Sequence, residues 1–150
     1  MRIAVASDHA GFEMKEFIKQ QLYDFGHEVV DYGCESPNPC DYPDMGRPAA
    51  ESVARGNCDR AILMCGTGIG MSMVANKVDG VLAALCTSAI QAEYSRKHNN
   101  ANVLIMGAWL SGKLIATDIL ERWLEGEFEG GRHQRRVGKI EGASDRVIAD

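Results

Sequence analysis

The chain has 150 residues, 45% hydrophobic and 25% charged, with a net charge of −5. That length suits one compact domain, residues 1–150, with enough apolar side chains to bury a core. The acidic balance excludes a chain-wide electrostatic grip on nucleic acid but leaves room for a local anion site.

Residues 3–6, Ile-Ala-Val-Ala, predict a first strand, broken by Ser7-Asp8-His9-Ala10-Gly11. Phe12, Met14, Phe17, Ile18, Leu22 and Phe25 recur at near-helical spacing, and Gly26 follows as a C-terminal glycine. Val29-Val30 marks a second strand. Residues 33–48 are rich in proline and read as a loop, with a helix over 47–55. A third strand, 61–64, runs into Cys65-Gly66-Thr67-Gly68-Ile69-Gly70, and a helix follows over 71–76. Strand 81–86, helix 89–97, strand 103–106 and helix 110–124 complete the pattern. Residues 127–150, richer in charge and glycine, are expected to wrap the outside or to reach a partner subunit. Apolar runs without alternation, separated by helices, predict a parallel sheet covered on both faces. The expected fold is α/β, a Rossmann-like doubly wound three-layer sandwich of about five strands.

In such folds ligands sit beyond the carboxyl ends of the strands, where strand order reverses. The first and third strands are neighbours in the usual order, so Asp8, His9, Cys65 and Thr67 should meet in one crevice. Alternate glycines at Gly66, Gly68 and Gly70 let backbone N–H groups converge, and the following helix adds its positive end. The bland alternative is a tight turn without a ligand. A dinucleotide fingerprint does not fit: the spacing is GxGxG, and Cys86-Thr87-Ser88 occupies the place of the ribose-binding acid. No Walker lysine follows the loop. A thiol at a strand-to-helix junction suits thiolate chemistry. Phosphatase chemistry is disfavoured, because Met71 stands where a cysteine phosphatase has its arginine. Cys58 and Cys86 read as core cysteines.

Asp8-His9 could equally cap the next helix. His98-Asn99 closes the fourth helix, and histidine suits a general acid near neutrality; an exposed polar loop is the plain alternative. Arg132 and Arg136 are four apart, so a helix would put both on one face, able to fork onto a phosphate. A solvated charged surface is the alternative there. Five cysteines without a CxxC pair suggest neither a disulfide framework nor a zinc site. No secretory signal or membrane-length apolar run is evident, so a soluble, cytoplasmic protein is expected, without nucleic-acid or membrane partners.

Taken together, Ser7-Asp8-His9-Ala10-Gly11, Asp41-Tyr42-Pro43, the Cys65–Gly70 loop, Ala75-Asn76-Lys77, Ser95-Arg96-Lys97-His98-Asn99, Ala101-Asn102-Val103 and Gly130-Gly131-Arg132-His133-Gln134 give the chain a specific likeness. It resembles the type B ribose-5-phosphate isomerases, in the group that includes the galactose-6-phosphate isomerase subunits. The resemblance implies that Cys65 moves a proton between C2 and C1, while Thr67 and the backbone of Gly66, Gly68, Ile69 and Gly70 hold the enediolate oxygens. It implies His98 as the ring-opening acid with Asp8 assisting, Asn99 and Tyr42 on the sugar, and His9, Arg132 and Arg136 on the phosphate. It implies a homodimer, with a tetramer as the alternative, whose site is shared so that His98 and Asn99 come from the partner. No cofactor and no metal are implied. The stretch 71–74 lacks the glutamate that one branch of the family uses as base, which fits the cysteine branch. Relatives commonly carry arginine in a Gly-x-Arg after the fifth strand; here Trp109 follows Gly107-Ala108.

Aldose–ketose isomerisation needs these residue types. A base must carry a proton between adjacent carbons, oriented donors must hold the developing oxyanion, and an acid must open the ring. The expected activity is interconversion of ribose 5-phosphate and ribulose 5-phosphate. The alternatives are isomerisation of a hexose 6-phosphate (allose or galactose 6-phosphate) and a non-catalytic sugar-phosphate-binding module.

Overall fold

A computed structural model describes residues 1–141. Five strands form one all-parallel sheet: β1 (Arg2–Ser7), β2 (Glu28–Asp31), β3 (Arg60–Cys65), β4 (Ala83–Leu85) and β5 (Val103–Gly107), in the order β2-β1-β3-β5-β4. β1 lies between β2 and β3, in register from Ile3 opposite Arg60 to Ser7 opposite Met64. Strand order therefore reverses at β1, and the crevice opens between the carboxyl ends of β1 and β3.

Six helices cover the sheet: α1 (Phe12–Asp24), α2 (Tyr42–Ala54), α3 (Ile69–Ala75), α4 (Ala89–Lys97), α5 (Lys113–Glu125) and α6 (Arg132–Glu141). A 3₁₀ turn, His9–Gly11, joins β1 to α1. The strands lack alternation because both faces are buried. Ile3 and Val5 face one cluster with Ile18, Leu22, Leu104, Leu120 and Trp123. Ala4 and Ala6 face the other, with Ala50, Leu63, Met71 and Ile105. Cys58 and Cys86 are core residues, as the sequence suggests.

Three boundaries differ most from expectation, and α3 also begins two residues early, at Ile69. The proline-rich loop is shorter, because α2 begins at Tyr42: Pro43 occupies the first turn, where a missing N–H is no loss, and Pro48 is tolerated inside. Strand β4 is a short sheet edge, Ala83–Leu85. Helix α5 starts at Lys113, after a turn through Trp109. The segment from 127 contains α6, so Arg132 and Arg136 do lie on a helix; residues 142–150 of that segment lie outside the described residues.

Lys15 on α1 is an unexpected core member, with its side chain 1% exposed. Its ammonium reaches both oxygens of Asp31 at 2.8 Å and the Cys34 carbonyl at 2.7 Å. A buried ammonium persists only when so paired. These contacts fasten the end of β2 to α1 and fix the start of the loop that leads to α2. Among the described residues, no helix is long and apolar enough to cross a membrane.

Candidate active site

The Cys65–Gly70 loop leaves β3 and enters α3 at the crevice. Cys65 is 5% exposed. Gly68 turns the chain with φ +80°, a left-handed conformation that glycine adopts without penalty. A Cβ there would lie 2.5 Å from the Leu85 side chain. That turn brings the Gly68 amide back to donate to Cys65 Sγ at 3.1 Å. The Ile69 amide donates to Thr67 Oγ1 at 3.3 Å, and the first amides of α3 have no acceptor within the helix.

The 3₁₀ turn packs on the end of β3 just before this loop: a Cβ on Gly11 would lie 2.8 Å from the Met64 carbonyl oxygen. Asp8, 8% exposed, accepts the Gly11 amide at 3.0 Å, so it caps the turn while sitting at the crevice. His9 is exposed, and its Nδ1 accepts the Cys40 amide at 3.3 Å. The same Nδ1 lies 3.4 Å from the Cys40 carbonyl oxygen, so this edge of the ring is tied to the Cys40 backbone and Nε2 is the ring nitrogen left for a ligand. The Tyr42 ring lies against Gly70, and the Trp109 ring against Gly66, each 2.8 Å from where a Cβ would stand. The structure therefore gathers Asp8, His9, Tyr42, Cys65, Thr67 and the backbone of Gly66, Gly68, Ile69 and Gly70 around one crevice.

Two cysteines near or behind this crevice are held in the thiol form by their surroundings. Burial, with a hydrogen bond to Cys34, raises the Cys40 thiol to about 11. Burial alone raises Cys86 to about 11. Both stay protonated at neutral pH and cannot serve as bases.

The remaining sequence candidates lie elsewhere. α4 starts at the carboxyl end of β4 and runs back, so His98 and Asn99 emerge at the opposite edge of the sheet, just before β5 begins. Cys65 pairs with Gly107 at the far end of that same strand. Five strand residues separate the two edges by about 15 Å. Arg132 and Arg136, both exposed, share the His98 edge, because the Glu129 amide donates to the Lys97 carbonyl at 3.0 Å and anchors α6 there. Within one chain, His9 does not meet the two arginines, and Cys65 does not meet His98.

Two residues at that edge escaped the sequence reading. The His133 ring stacks on His98, with centroids 4.1 Å apart and planes 8° apart. Glu129 Oε2 lies 3.7 Å from His98 Nε2 and 3.6 Å from His133 Nε2. Burial, then the nearby His98 and Arg132, lowers the His133 imidazole below its usual range, against the pull of Glu129. The i, i+4 spacing of Glu129 and His133 was the available signal.

Residues 3–140 match the family model described as Ribose/Galactose Isomerase. The chain is 42% identical to the ribose-5-phosphate isomerase B of Escherichia coli, over 97% of each chain. It is 42% identical to the D-erythrulose-4-phosphate isomerase of Pectobacterium atrosepticum, over 93% of each. The solved structure of Clostridium thermocellum ribose-5-phosphate isomerase B superposes with a TM-score of 0.96 at 46% identity, covering 97% of this chain and 99% of that one. With sheet order, crevice and sequence in agreement, the chain belongs to the ribose/galactose isomerase family.

Proposed function

We propose that this protein interconverts ribose 5-phosphate and ribulose 5-phosphate through a cis-enediolate, in a site completed by a second copy of the chain. The observation that carries this reading is the division of one catalytic set between opposite edges of the sheet. A base and an oxyanion cradle stand at the Cys65 edge; an acid and two arginines stand at the His98 edge.

A two-fold axis normal to the strands reverses strand direction, so it would bring the Cys65 edge of one copy beside the His98 edge of the other. The exposed apolar residues support such a contact. Ile69 and Met73 on α3, and Ile90 and Tyr94 on α4, are exposed and flank the uncovered edge of β4.

In the shared site, His98 of the partner protonates the ring oxygen while Asp8 takes the proton of the anomeric hydroxyl, and the sugar opens. Cys65 thiolate then removes the C2 proton. Charge passes to the carbonyl oxygen at C1, where Thr67 and the amides of the loop stabilise it. The proton of the C2 hydroxyl passes to the C1 oxygen, which leaves the charge on the C2 oxygen; as the C2 carbonyl forms, the same thiol returns its proton to C1, giving the ketose. Tyr42 and the partner's Asn99 hold sugar hydroxyls. His9, with Arg132 and Arg136 of the partner, grips the phosphate. Apart from the C–O cleavage that opens the ring, every step is a proton transfer, and acids, bases and oriented N–H donors of the protein suffice for it.

A shorter substrate is the second reading, favoured by the identity to a relative named for D-erythrulose 4-phosphate. The test is one assay of purified protein against ribose 5-phosphate, D-erythrulose 4-phosphate, allose 6-phosphate and galactose 6-phosphate. The proposal expects the highest kcat/KM on ribose 5-phosphate. Preference for any of the others displaces the pentose, and binding without turnover of all four makes the protein a sugar-phosphate-binding module.

A further inference from the structure

Three donor groups stand together at the His98 edge, and the isomerase chemistry uses one of them. The Nε2 atoms of His98 and His133 lie 3.7 and 3.6 Å from one oxygen of Glu129. One ligand atom from each of the three residues falls within 4.8 Å of the other two. We propose that His98, Glu129 and His133 bind a divalent transition-metal ion of the zinc type, and that loading this site stops the isomerase.

The donor set is two imidazoles and a carboxylate. Zinc takes such ligands at roughly 2.0–2.2 Å in tetrahedral geometry, which spaces ligand atoms about 3.3–3.5 Å apart. The observed N–O separations exceed that by a few tenths of an ångström, and the three ligand atoms lie within 4.8 Å as a set, so binding must draw the groups together. The two rings lie parallel, so their lone pairs run side by side and must splay to converge. His98 follows the last residue of α4 and is half-buried; its ring sits between Tyr94, edge-on, and the stacked His133, so convergence requires that ring to tilt out of the stack.

His133 is prepared for ligation in another way. It is 6% exposed and stacked on His98, and its Nε2 turns a lone pair toward Arg132. That lone pair now accepts only a long hydrogen bond, 3.4 Å, from Arg132 Nε, which an incoming ion displaces. Arg132 and Arg136 are the cations facing His133, and Glu129 offsets them by supplying the one anionic ligand. Three protein ligands leave the fourth position to water.

The bound ion would not act as a cofactor. It ties up the Nε2 through which His98 would protonate the ring oxygen, so it inhibits. The inhibitory half rests on the role given to His98 above; the binding half does not.

The test titrates zinc and cobalt(II) into the purified full-length enzyme by calorimetry and absorption spectroscopy. One ion per chain is expected. Glu129→Gln should weaken binding by more than about tenfold, the loss that even an outer-shell change can cause. His133→Ala should lose the ion, and Cys65→Ser should keep it. The cobalt complex should show no thiolate charge-transfer band. Full affinity in both Glu129→Gln and His133→Ala, or loss in Cys65→Ser, places the ion on sulfur and overturns the site. Glu129 is half exposed, so its variant guards against misfolding of the histidine variant. Zinc should stop the wild type on cyclic ribose 5-phosphate and spare Glu129→Gln at the same concentration. An ion held by the cluster with turnover unchanged would overturn the inhibitory half, and the role of His98 with it, while the site itself stands.

Discussion

The backbone amide of Gly68 points back across the loop and donates to the sulfur of Cys65 at 3.1 Å. This bond places the sulfur against the crevice and offers a positive partner to a developing thiolate. Serine nearly matches the size of cysteine, so Cys65→Ser should fold and still bind sugar phosphate. Its hydroxyl is far too weak an acid to supply a ready base, and turnover should fall by about 10²–10⁴-fold. Steady-state kinetics with a binding measurement checks this; near wild-type turnover removes Cys65 from the mechanism.

His98→Ala separates ring opening from proton transfer. On cyclic ribose 5-phosphate the loss should reach about 10²–10⁴-fold, the usual contribution of a positioned acid. A substrate supplied in linear form should be partly spared. Equal losses on both forms would give His98 a part in the isomerisation step or in the fold.

Mixing the two inactive variants tests the shared site directly. After subunit exchange, a mixed dimer of Cys65→Ser and His98→Ala carries both lesions in one site and none in the other. Random reassortment should restore about one quarter of wild-type activity. A mixture that has exchanged subunits and remains inactive refutes the sharing of sites across a two-fold axis.

Arg132 and Arg136 lie one turn apart on α6, whereas Arg135 points about 60° or more away from their midline. A desolvated charge-assisted contact to phosphate contributes about 1.5–3 kcal/mol, or roughly ten- to a hundredfold in binding. Arg132→Ala and Arg136→Ala should each raise KM by about that factor, and Arg135→Ala should be close to neutral. Three silent variants would place the phosphate elsewhere.

Asp31 gives the fold an acid-sensitive point. Burial alone would raise its carboxyl, but hydrogen bonds from Lys15, Lys19 and the Gly33 amide outweigh burial and hold it below its usual range. A depressed carboxylate contributes stability that is present above the unfolded pKa, near 3.9, and lost as pH falls through the lower folded value. Asp31→Asn leaves the Lys15 ammonium buried with half its partners, so it should cost about 2–3 kcal/mol at pH 7. The difference from wild type should shrink below about pH 4, as the wild-type carboxylate protonates. Urea unfolding at several pH values reads both effects.

Much of the fold was legible because β1, β3 and β5 are apolar on both faces and alternate with helices, the combination expected of a covered parallel sheet. Their neighbours followed from topology, and the meeting of Asp8, His9, Cys65 and Thr67 followed with them. The start of helix α2 was hidden by its own prolines, since Pro43 marks a helix start as readily as a loop, although its later turns were read as helical over 47–55. Lys15 was hidden because charge in a helical pattern reads as surface, and only the return of Asp31 from β2 makes its burial tolerable. The stack of His133 on His98 was out of reach because it depends on Gly130 and Gly131. Their positive φ values, 65° and 54°, turn the chain so that α6 comes back against the end of α4. No local periodicity encodes that return.

The chain's two tryptophans occupy opposite environments, and this equips the protein with two optical reporters. Trp123 has no exposure, on the core-facing side of α5, whereas Trp109 is 73% exposed with its ring against Gly66. Emission from Trp123 should lie to the blue and respond to loss of packing. Emission from Trp109 should lie to the red and respond when something settles on the Cys65 loop. A Trp123→Phe variant would then give a fluorescence signal for occupancy of the crevice alone, and a Trp109→Phe variant one for unfolding alone.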